Sequence, residues 1–506
     1  MFLALKSDKD AYITNKYVDG TPAVSGNTGI AGSLDLFKIY GMTVLTSGNN
    51  KLPQTELTRL LVHFDLDPLR DLVDENKVDI SHSSFKCFLN LKDVYGGQTT
   101  PSNFNIDIFP LSASFTEGVG KDTAYYVDED RCNFISASTT TAWFGEGCTA
   151  ACFSTGSGDY ITSSVTIADT KVSQTFVTGE EDLFVDVTSI ISATLKNDLP
   201  DSGFRISYPS ELEDDQKTYF VKRFGSRHTY DESKRPKLVV KFDDSIQDDT
   251  SNLYLDSPAA SNLFLYNYSN GQLTNLNFNN SEVTGSNCVL LKLQTEVTGV
   301  GTYTLYFTGS QHSFGSNYST GIYYAPVVLP LSNTNLRTVF EQTGSIKFNS
   351  SWLSLDESLA FVSGSTIKAL GPERTTQRLS PRRYTVNALG TSSDYSEDED
   401  VTMRVNIFDA NNPIVIAQRL PIVTPSIVLR NSYYAIRNYS TDEYEVPFDT
   451  THNSTRLSSD SAGMYFTFKT SALTPLQTYV IDVMVTVEGK QQKYLNASPT
   501  FRIVKI

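Results

Sequence analysis

The stretch SRHTYDESKRPKLVVKF, residues 226–242, ends in an alternating run that is typical of a β-strand. It also gathers six basic side chains: Arg227, His228, Lys234, Arg235, Lys237 and Lys241. Three interpretations fit this composition: a nucleic-acid patch, a catalytic site, or the closing strand of a domain. A closing strand would turn alternate side chains to opposite faces of a sheet. Its core face would hold Leu238, Val240 and Phe242, and its outer face Lys237, Val239 and Lys241.

The charge of the whole chain separates these interpretations. The formal net charge is −16 and the isoelectric point is about 4.8. Because a surface of this sign repels phosphate, we predict no nucleic-acid partner. The stretch is therefore interpreted as a charged connection into a closing strand, and it marks a domain boundary near residue 243.

Length and composition predict several folded domains rich in strands. A chain of 506 residues is too long for one core, and domains of about 100–200 residues predict three or four of them. Hydrophobic residues make up 39% and charged residues 19%, as in folded proteins. The abundant Tyr, Phe and Thr favour strands over helices. We predict an all-β protein with three or four β-sandwich domains, of jelly-roll or Ig-like type, in tandem.

Turn residues and changes of composition divide the chain into regions. Residues 1–243 are predicted to form one sandwich, with a short helix for which Thr188 is the expected N-cap. The acidic stretch DDSIQDDTSN, residues 243–252, is interpreted as a linker or domain edge. A small β-domain is predicted at 253–332 and one or two Ig-like sandwiches at 333–506. The strand candidates are 36–45, 58–66, 83–91, 103–111, 181–187, 203–208, 236–242, 262–268, 287–297, 301–309, 345–355, 383–389, 401–409, 414–420, 432–438, 463–470, 478–488 and 500–506.

Short motifs across the first region resemble the DNRLRE family, whose β-sandwich domains are related to carbohydrate-binding modules. The motifs are DAYI at 10–13, Arg59 with LVHFDL at 61–66, SFTEG at 114–118, FVDVTSII at 184–191, and the stretch 226–242. Phe115 stands where the family usually has tryptophan, His228 where it has glutamate, and Phe242 where it has tyrosine. The resemblance implies a sandwich with carbohydrate-binding relatives.

The last part of the chain resembles C-terminal segments of virion structural proteins from tailed bacteriophages with contractile tails. Residues 383–409 and 432–470 carry this likeness, above all the run from Tyr433 through PFD at 447–449 to Tyr465 and Phe466. It implies a non-enzymatic structural component of the tail, neck or baseplate, assembled in the host cytoplasm and located in the virion. Its partners would be other virion proteins in a symmetric assembly.

A long Gly-, Ser- and Thr-rich insertion carries a group of aromatic residues: Tyr125, Tyr126, Trp143, Phe144 and Tyr160. Exposed rings flanked by polar groups bind sugars, and loops on a rigid scaffold are common binding sites. The same insertion fits packing against a neighbouring subunit, which we favour. A carbohydrate-binding adhesin or accessory module, on a virion or cell surface, is the alternative function. Exposure of Trp143 would support it.

A second candidate interface is the arginine-rich segment ERTTQRLSPRR, residues 373–383. It contains Arg374, Arg378, Arg382 and Arg383. Because the arginine fork binds carboxylates through two hydrogen bonds, these side chains are candidates for pairing with an acidic partner surface. Loop charges that face water are the alternative interpretation.

Catalytic and metal sites find little support in the sequence. The five histidines form no metal-binding pair, and no nucleophile elbow is present. Glu117 is the best single candidate for glycoside hydrolysis, which needs two facing carboxylates, but a surface or turn role is favoured. The acidic clusters at 243–244, 248–249 and 397–400 make Ca²⁺ an alternative to solvated loops. We predict no enzyme activity and no cofactor.

The remaining expectations concern location. The five cysteines are sparse and odd in number, which favours buried thiols in a reducing compartment over disulfides. The apolar residues before Lys6 are too few for a signal peptide, and no run approaches a membrane span. A cytosolic site of synthesis and no membrane partner are expected.

Overall fold

A computed structural model of the chain describes residues 1–44, 51–94, 102–127, 131–154, 156–372, 383–410, 426–487 and 489–505. Strands account for 47% of the structure and helices for 9%, so the predicted all-β class is confirmed. The chain divides into two compact units. The first unit comprises Leu3–Asp71 and Phe85–Lys241, and the second comprises Met1–Phe2, Leu72–Ser84 and Phe242–Ile506.

Most strands of the first unit join one large antiparallel sheet that nearly closes on itself. Its order is β10-β7-β12-β5-β1-β14-β6-β11, with β4 on β5 and β13 on β4. Gln174 joins the two end strands, because its Nε2 donates to Asp182 O at 2.7 Å and its Oε1 accepts from Phe184 N at 2.7 Å. The strands are β1 (Phe2–Thr14), β2 (Tyr17–Val18), β3 (Thr21–Pro22), β4 (Ser33–Val44), β5 (Lys51–Phe64), β6 (Lys86–Leu91), β7 (Phe104–Pro110), β8 (Ala151–Phe153), β9 (Tyr160–Ser163), β10 (Val172–Phe176), β11 (Leu183–Asp186), β12 (Phe204–Ser207), β13 (Tyr219–Gly225) and β14 (Lys237–Lys241).

The closing stretch forms β14 as predicted, inside the sheet and antiparallel to β6. Leu238 and Val240 are buried, which confirms their assignment to the core face. The assignment of Val239 to an exposed face is wrong, because Val239 is buried as well. Its register partner Phe88 lies on the same outer face and stacks on Phe184, with ring centroids 4.9 Å apart. Aromatic rings therefore cover the face that alternation alone assigns to water.

Three helices accompany these strands: α1 (Asp67–Asp74), α2 (Thr188–Leu195) and α3 (Ser210–Glu213). A single 3₁₀ turn also covers Glu232–Lys234. Helix α2 lies where the sequence predicts one, but Thr188 is not its N-cap. Val187 holds that position without a side-chain cap. The Thr188 hydroxyl instead accepts from Cys87 N at 2.9 Å, so it ties the helix to β6 rather than to its own first turn.

The second unit contains a six-stranded antiparallel sheet in the order β15-β22-β21-β20-β23-β24. Its elements are β15 (Ser261–Tyr266), β16 (Tyr268–Ser269), β17 (Gln272–Leu273), β18 (Asn277–Phe278), β19 (Ser281–Glu282), β20 (Val289–Val297), β21 (Gly301–Phe314), β22 (Asn317–Val327), α4 (Thr334–Thr343), β23 (Ser345–Leu353), β24 (Ala360–Leu370) and the 3₁₀ turn Thr250–Asn252. The core is rich in leucine, and Leu336 and Val339 of α4 pack against it. Asn333 caps α4, since its Oδ1 accepts from Asn335 N and Leu336 N.

Two further sheets of the second unit form a sandwich with the strand order of immunoglobulin-type domains. One sheet runs β25-β27-β31-β30, and the other runs β26-β34-β32-β28-β29 with β33 on β32. Tyr479 at the start of β32 forms a tyrosine corner, because its hydroxyl donates to Thr474 O at 2.9 Å. The elements are β25 (Tyr384–Leu389), β26 (Asp394–Ser396), β27 (Asp400–Asp409), β28 (Ser432–Asn438), β29 (Tyr444–Val446), β30 (Ser458–Asp460), β31 (Gly463–Lys469), the 3₁₀ turn Thr470–Ala472, β32 (Thr478–Val487), β33 (Lys490–Tyr494) and β34 (Phe501–Val504). The strand candidate at 414–420 lies outside the described residues.

The acidic stretch 243–252 is packed rather than solvated. Asp248 and Asp249 are both 3% exposed, and Gln247 pairs with Ser459 in a parallel bridge. Asp249 receives two hydrogen bonds from Arg430, at 3.2 and 2.7 Å. The expectation of a solvated acidic loop is therefore wrong for 248–249. Local composition could not reveal a cation that lies 181 residues away.

Burial gives Asp248 a testable effect on stability. Desolvation and the charge of Asp249 raise the pKa of Asp248 to about 6, although hydrogen bonds from Thr250 oppose the shift. The folded state therefore binds this proton more tightly than the unfolded chain does, and stability falls as pH rises from about 4 through about 6. We expect Asp248→Asn to gain roughly 2–3 kcal/mol relative to the natural protein between those limits. Denaturant unfolding of both proteins across the pH range measures this difference, and a difference that does not vary with pH would contradict the expectation.

Candidate functional site

The aromatic residues predicted to form a binding loop lie in different environments. Trp143 is 7% exposed and belongs to a buried cluster that contains Leu61, Phe115 and Cys148. Its Nε1 donates to Asn133 O at 2.8 Å. Trp143 is therefore a core residue of the insertion, and it does not form an exposed platform.

Tyr160 and Tyr126 are half-buried, and Tyr125 and Phe144 point to solvent. The Arg205 guanidinium lies 4.4 Å from the centre of the Tyr160 ring, which also packs on Phe109. Tyr125 is 86% exposed and Phe144 is 65% exposed. Of the five predicted rings, two are therefore exposed, two are half-buried and Trp143 is buried.

Asp159 fixes the part of the insertion that carries Phe144. This carboxylate is 1% exposed and accepts three backbone N–H groups: Phe144 N at 2.7 Å, Gly145 N at 3.0 Å and Ala150 N at 2.9 Å. Such bonds to an ionised acceptor are stronger than those between neutral groups. The residues that flank Asp159 in the sequence carry no signal of its burial.

A buried ion pair anchors the same insertion to the sheet. Arg59 of β5 pairs with Glu213 of α3, with Nη2 and Oε2 2.6 Å apart, and both side chains are less than 10% exposed. The Nη1 of Arg59 donates to Gly147 O at 2.8 Å, and the Nε of Arg205 donates to Cys148 O at 2.9 Å. The exposed ring of Phe144 therefore stands on a stretch whose backbone is held by two arginines and a buried carboxylate.

A second cluster contains Glu117 together with the first residues of the stretch 226–242. Glu117 Oε1 accepts from Asp10 N at 3.0 Å, and its Oε2 pairs with Arg227 Nη1 at 3.0 Å. His228 Nε2 lies 3.5 Å from Oε1. The Glu117 side chain is half-buried, with 15% of it exposed, and its surface or turn role stays a prediction. The basic residues Arg227 and His228 face carboxylates within their own domain.

Asp10 is the most perturbed member of this cluster. Desolvation, reinforced by the charge of Glu117, raises the pKa of Asp10 to about 8, although the backbone of Arg227 donates to it. Burial also raises the pKa of Glu117. Asp10 Oδ1 has no hydrogen-bond partner among the described residues. Both carboxyl groups accept backbone N–H groups, so the cluster holds the insertion against the segment that precedes β14.

His63 lies on β5, the strand that pairs with β1 and its Asp10, and the imidazole stands between two carboxylates. Its Nδ1 is 2.5 Å from Asp8 Oδ1, and its Nε2 is 3.5 Å from Asp201 Oδ1. Burial opposes the imidazolium charge, but hydrogen bonds to Asp201 and Asp8 outweigh it and raise the pKa of His63 to about 9. His63 and the two carboxylates therefore form an ion cluster, and the described contacts of the imidazole are to carboxylates.

The raised pKa of His63 is expected to change the stability of the fold with pH, through the loss of a stabilising charge at high pH. A raised histidine pKa stabilises the fold fully below about 6.5, and this stabilisation is lost as pH rises through about 9. We expect His63→Gln to cost on the order of 2 kcal/mol near pH 6, after allowance for partial solvent access, and little near pH 10. Unfolding measurements at the two pH values test this. An equal loss at both would show that packing, not charge, is the cause.

Of the four predicted interface arginines, the described residues include one. Arg374, Arg378 and Arg382 lie outside the described residues. Arg383 is exposed, and its carbonyl accepts from Ala410 N at 2.8 Å. Their pairing with an acidic partner stays a prediction.

The acidic and sulfur-containing side chains form no metal centre within the ranges that the structure describes. At 397–400, Asp398, Glu399 and Asp400 are exposed. Four cysteines are buried, and Cys288 is half-buried. Among the helices of the described residues, none has the length and apolar character of a membrane span.

Comparisons with known proteins give a weak structural likeness and no match in sequence. No protein family matches this sequence, and no curated protein matches it. A solved structure that resembles it is the crystal structure of chicken CNTN1 FN1-FN3 domains, with 8% sequence identity and a TM-score of 0.14. The match covers 44% of this chain and 63% of that one. At this TM-score the likeness supports no inference about function.

Proposed function

We propose that the protein is a non-enzymatic structural component of a tailed-bacteriophage virion, in the tail, neck or baseplate, and that it acts by protein–protein assembly. The observation that carries the proposal is the exposed ring of Phe144, whose backbone N–H is held by the buried Asp159 carboxylate. A second exposed ring, Tyr125, lies in the same insertion. A surface that is ordered before binding loses little conformational entropy when a partner docks. The likeness of 383–409 and 432–470 to phage virion proteins supports the choice of assembly.

Contacts of this kind gain strength by repetition. A single weak docking loop contributes little, but copies arranged by particle symmetry raise the effective concentration of every further contact. The acidic chain, with a net charge of −16, favours basic surfaces on its neighbours. The proposed partners are other virion proteins, and the proposed location is the virion.

Intact particles test the proposal directly. Cross-linking with mass spectrometry on purified particles is expected to join this chain to other virion proteins. Particles assembled with Tyr125→Ser/Phe144→Ser are expected to contain less of it. Tyr230→Ser is the matched control, because Tyr230 is fully exposed outside the insertion. Recovery of the protein only from a cell wall or the medium, never from particles, would overturn the proposal.

A carbohydrate-binding adhesin or accessory module is the second candidate function. The exposed rings of Tyr125 and Phe144 favour it, as does the resemblance to the DNRLRE family, although Trp143 is not available to a sugar. A glycan array distinguishes the candidates, because binding that disappears in Tyr125→Ser/Phe144→Ser supports the module. An array without signal removes it and leaves the assembly proposal standing.

A further inference from the structure

Lys222 of β13 places its amine against a carboxylate inside the first unit. The Lys222 side chain is 1% exposed and that of Asp93 is 20% exposed. The Nζ of Lys222 contacts Asp93 Oδ1 and donates to Gly179 O at 2.8 Å. The rings of Phe176 and Phe224 flank the amine, with their centres 5.2 and 5.3 Å from Nζ. The amine is therefore desolvated between apolar walls, whereas the carboxylate keeps limited access to solvent.

The backbone holds the two side chains in place. Asp93 follows β6 and forms an antiparallel bridge with Phe224. Val94 N donates to Arg223 O at 3.0 Å, and Gly225 N donates to Lys92 O at 3.0 Å. Asp93 N donates to Asp182 Oδ1 at 2.8 Å. Since the main chain is fixed on both sides, the amine and the carboxyl carbon have little freedom to separate.

We propose that Lys222 and Asp93 are the site of an intramolecular isopeptide bond. The Lys222 ammonium first passes a proton to the Asp93 carboxylate that it contacts, which frees the Nζ lone pair. The lone pair attacks Cγ of Asp93, a Cγ–O bond breaks, and the protonated oxygen leaves as water with a second proton from Nζ. The ammonium supplies both protons of that water, so one ion pair yields one neutral amide and one water without any further reagent. The amide keeps one N–H, and Gly179 O is already placed to accept it.

Two physical effects favour this condensation. Holding reactants together is equivalent to a concentration of about 10⁵–10⁸ M in well-oriented intramolecular reactions. Burial also disfavours the separated charges of the ion pair relative to a neutral product, and it limits the water that would reverse the reaction. The bond would tie the end of β6 covalently to β13, which are 129 positions apart at the linked residues.

Lys38 in the same unit provides an internal control. Its side chain is fully buried, and it also pairs with a carboxylate, Asp215, with Nζ and Oδ1 2.6 Å apart. However, Lys38 Nζ also donates to Leu212 O and Asp215 O. Three acceptors match the three N–H groups of an ammonium. Tyr219 further donates to Asp215 Oδ2 at 2.5 Å, which holds the carboxylate. This pair is therefore expected to stay ionic.

Mass spectrometry of the purified full chain tests the proposal. The intact protein is expected to be lighter than its sequence by one water molecule, and protease digestion should yield a branched peptide that contains Lys222 and Asp93. Lys222→Arg and Asp93→Ala should both restore the full mass, whereas Lys38→Arg should retain the loss. Asp93→Asn should lose one ammonia instead, because the leaving group changes.

Each outcome decides the question without relying on how well a variant folds. A folded natural protein at full mass throughout storage would overturn the proposal and leave a buried ion pair. A water loss confined to a single linear peptide would also overturn it, because a cyclic imide at another aspartate explains that result. Loss of one water molecule from part of the protein, together with the branched peptide, supports the isopeptide bond.

Discussion

Trp143→Ala is expected to lower the free energy of unfolding of the first unit by about 3–5 kcal/mol, the usual cost of removing a buried tryptophan. The ring fills a cluster with Leu61, Phe115 and Cys148, and its Nε1–H is bonded to Asn133 O. Truncation would leave both a cavity and an unpaired carbonyl. The loss is measured by denaturant unfolding of the full chain. Hydrogen exchange of the amides in β7, a strand of the first unit, monitors the unfolding.

Phe144 is the matched control for this substitution. It is the next residue along the chain, but its ring is 65% exposed. Phe144→Ala should change stability by no more than about 0.5 kcal/mol. Similar losses for the two variants would mean that Trp143 does not support the insertion. A loss of glycan or partner binding in Phe144→Ala alone would assign recognition to the exposed ring.

Periodicity predicted strands well because it records which faces of a segment are apolar. The segment 236–242 became β14, and 58–66 lies within β5 apart from its last two residues. The prediction failed where the neighbour across the sheet decides burial. Val239 is covered by Phe88, a residue of another strand, and no local pattern contains that information.

The candidate site could be predicted only as a set of residue types. The sequence singled out the insertion and its five rings, but exposure depends on how the insertion folds back on the sheet. Arg59 pairs with Glu213 across 154 positions, and Arg227 pairs with Glu117 across 110. Such contacts form because the order of the strands in the sheet brings distant segments together, and a local sequence pattern does not contain that order. Asp159 likewise gains its importance from the three N–H groups that the folded loop directs at it.

Arg437→Met should produce the largest loss in the immunoglobulin-type sandwich, about 3–5 kcal/mol. Arg437 Nε donates to Asp482 Oδ2 at 2.8 Å, and Asp482 is fully buried on β32. The substitution would leave a buried carboxylate with Tyr444 OH at 3.1 Å and Asn496 N at 2.8 Å, but without its cation. Uncompensated buried charge is among the most destabilising changes known in proteins.

Arg404 is the control in the same sandwich, because its pair with Asp460 is largely solvated. The side chains of Arg404 and Asp460 are 45% and 22% exposed, and Arg404 Nη1 lies 2.7 Å from Asp460 Oδ1. Despite this short distance, Arg404→Met should cost about 1 kcal/mol or less, since water compensates for much of a surface ion pair. Unfolding of the full chain, monitored by hydrogen exchange in β32, compares the two variants. Equal losses would mean that distance rather than burial sets the strength of these pairs. A much smaller loss in Arg437→Met/Asp482→Leu than in Arg437→Met alone would show that the stranded carboxylate is the cause.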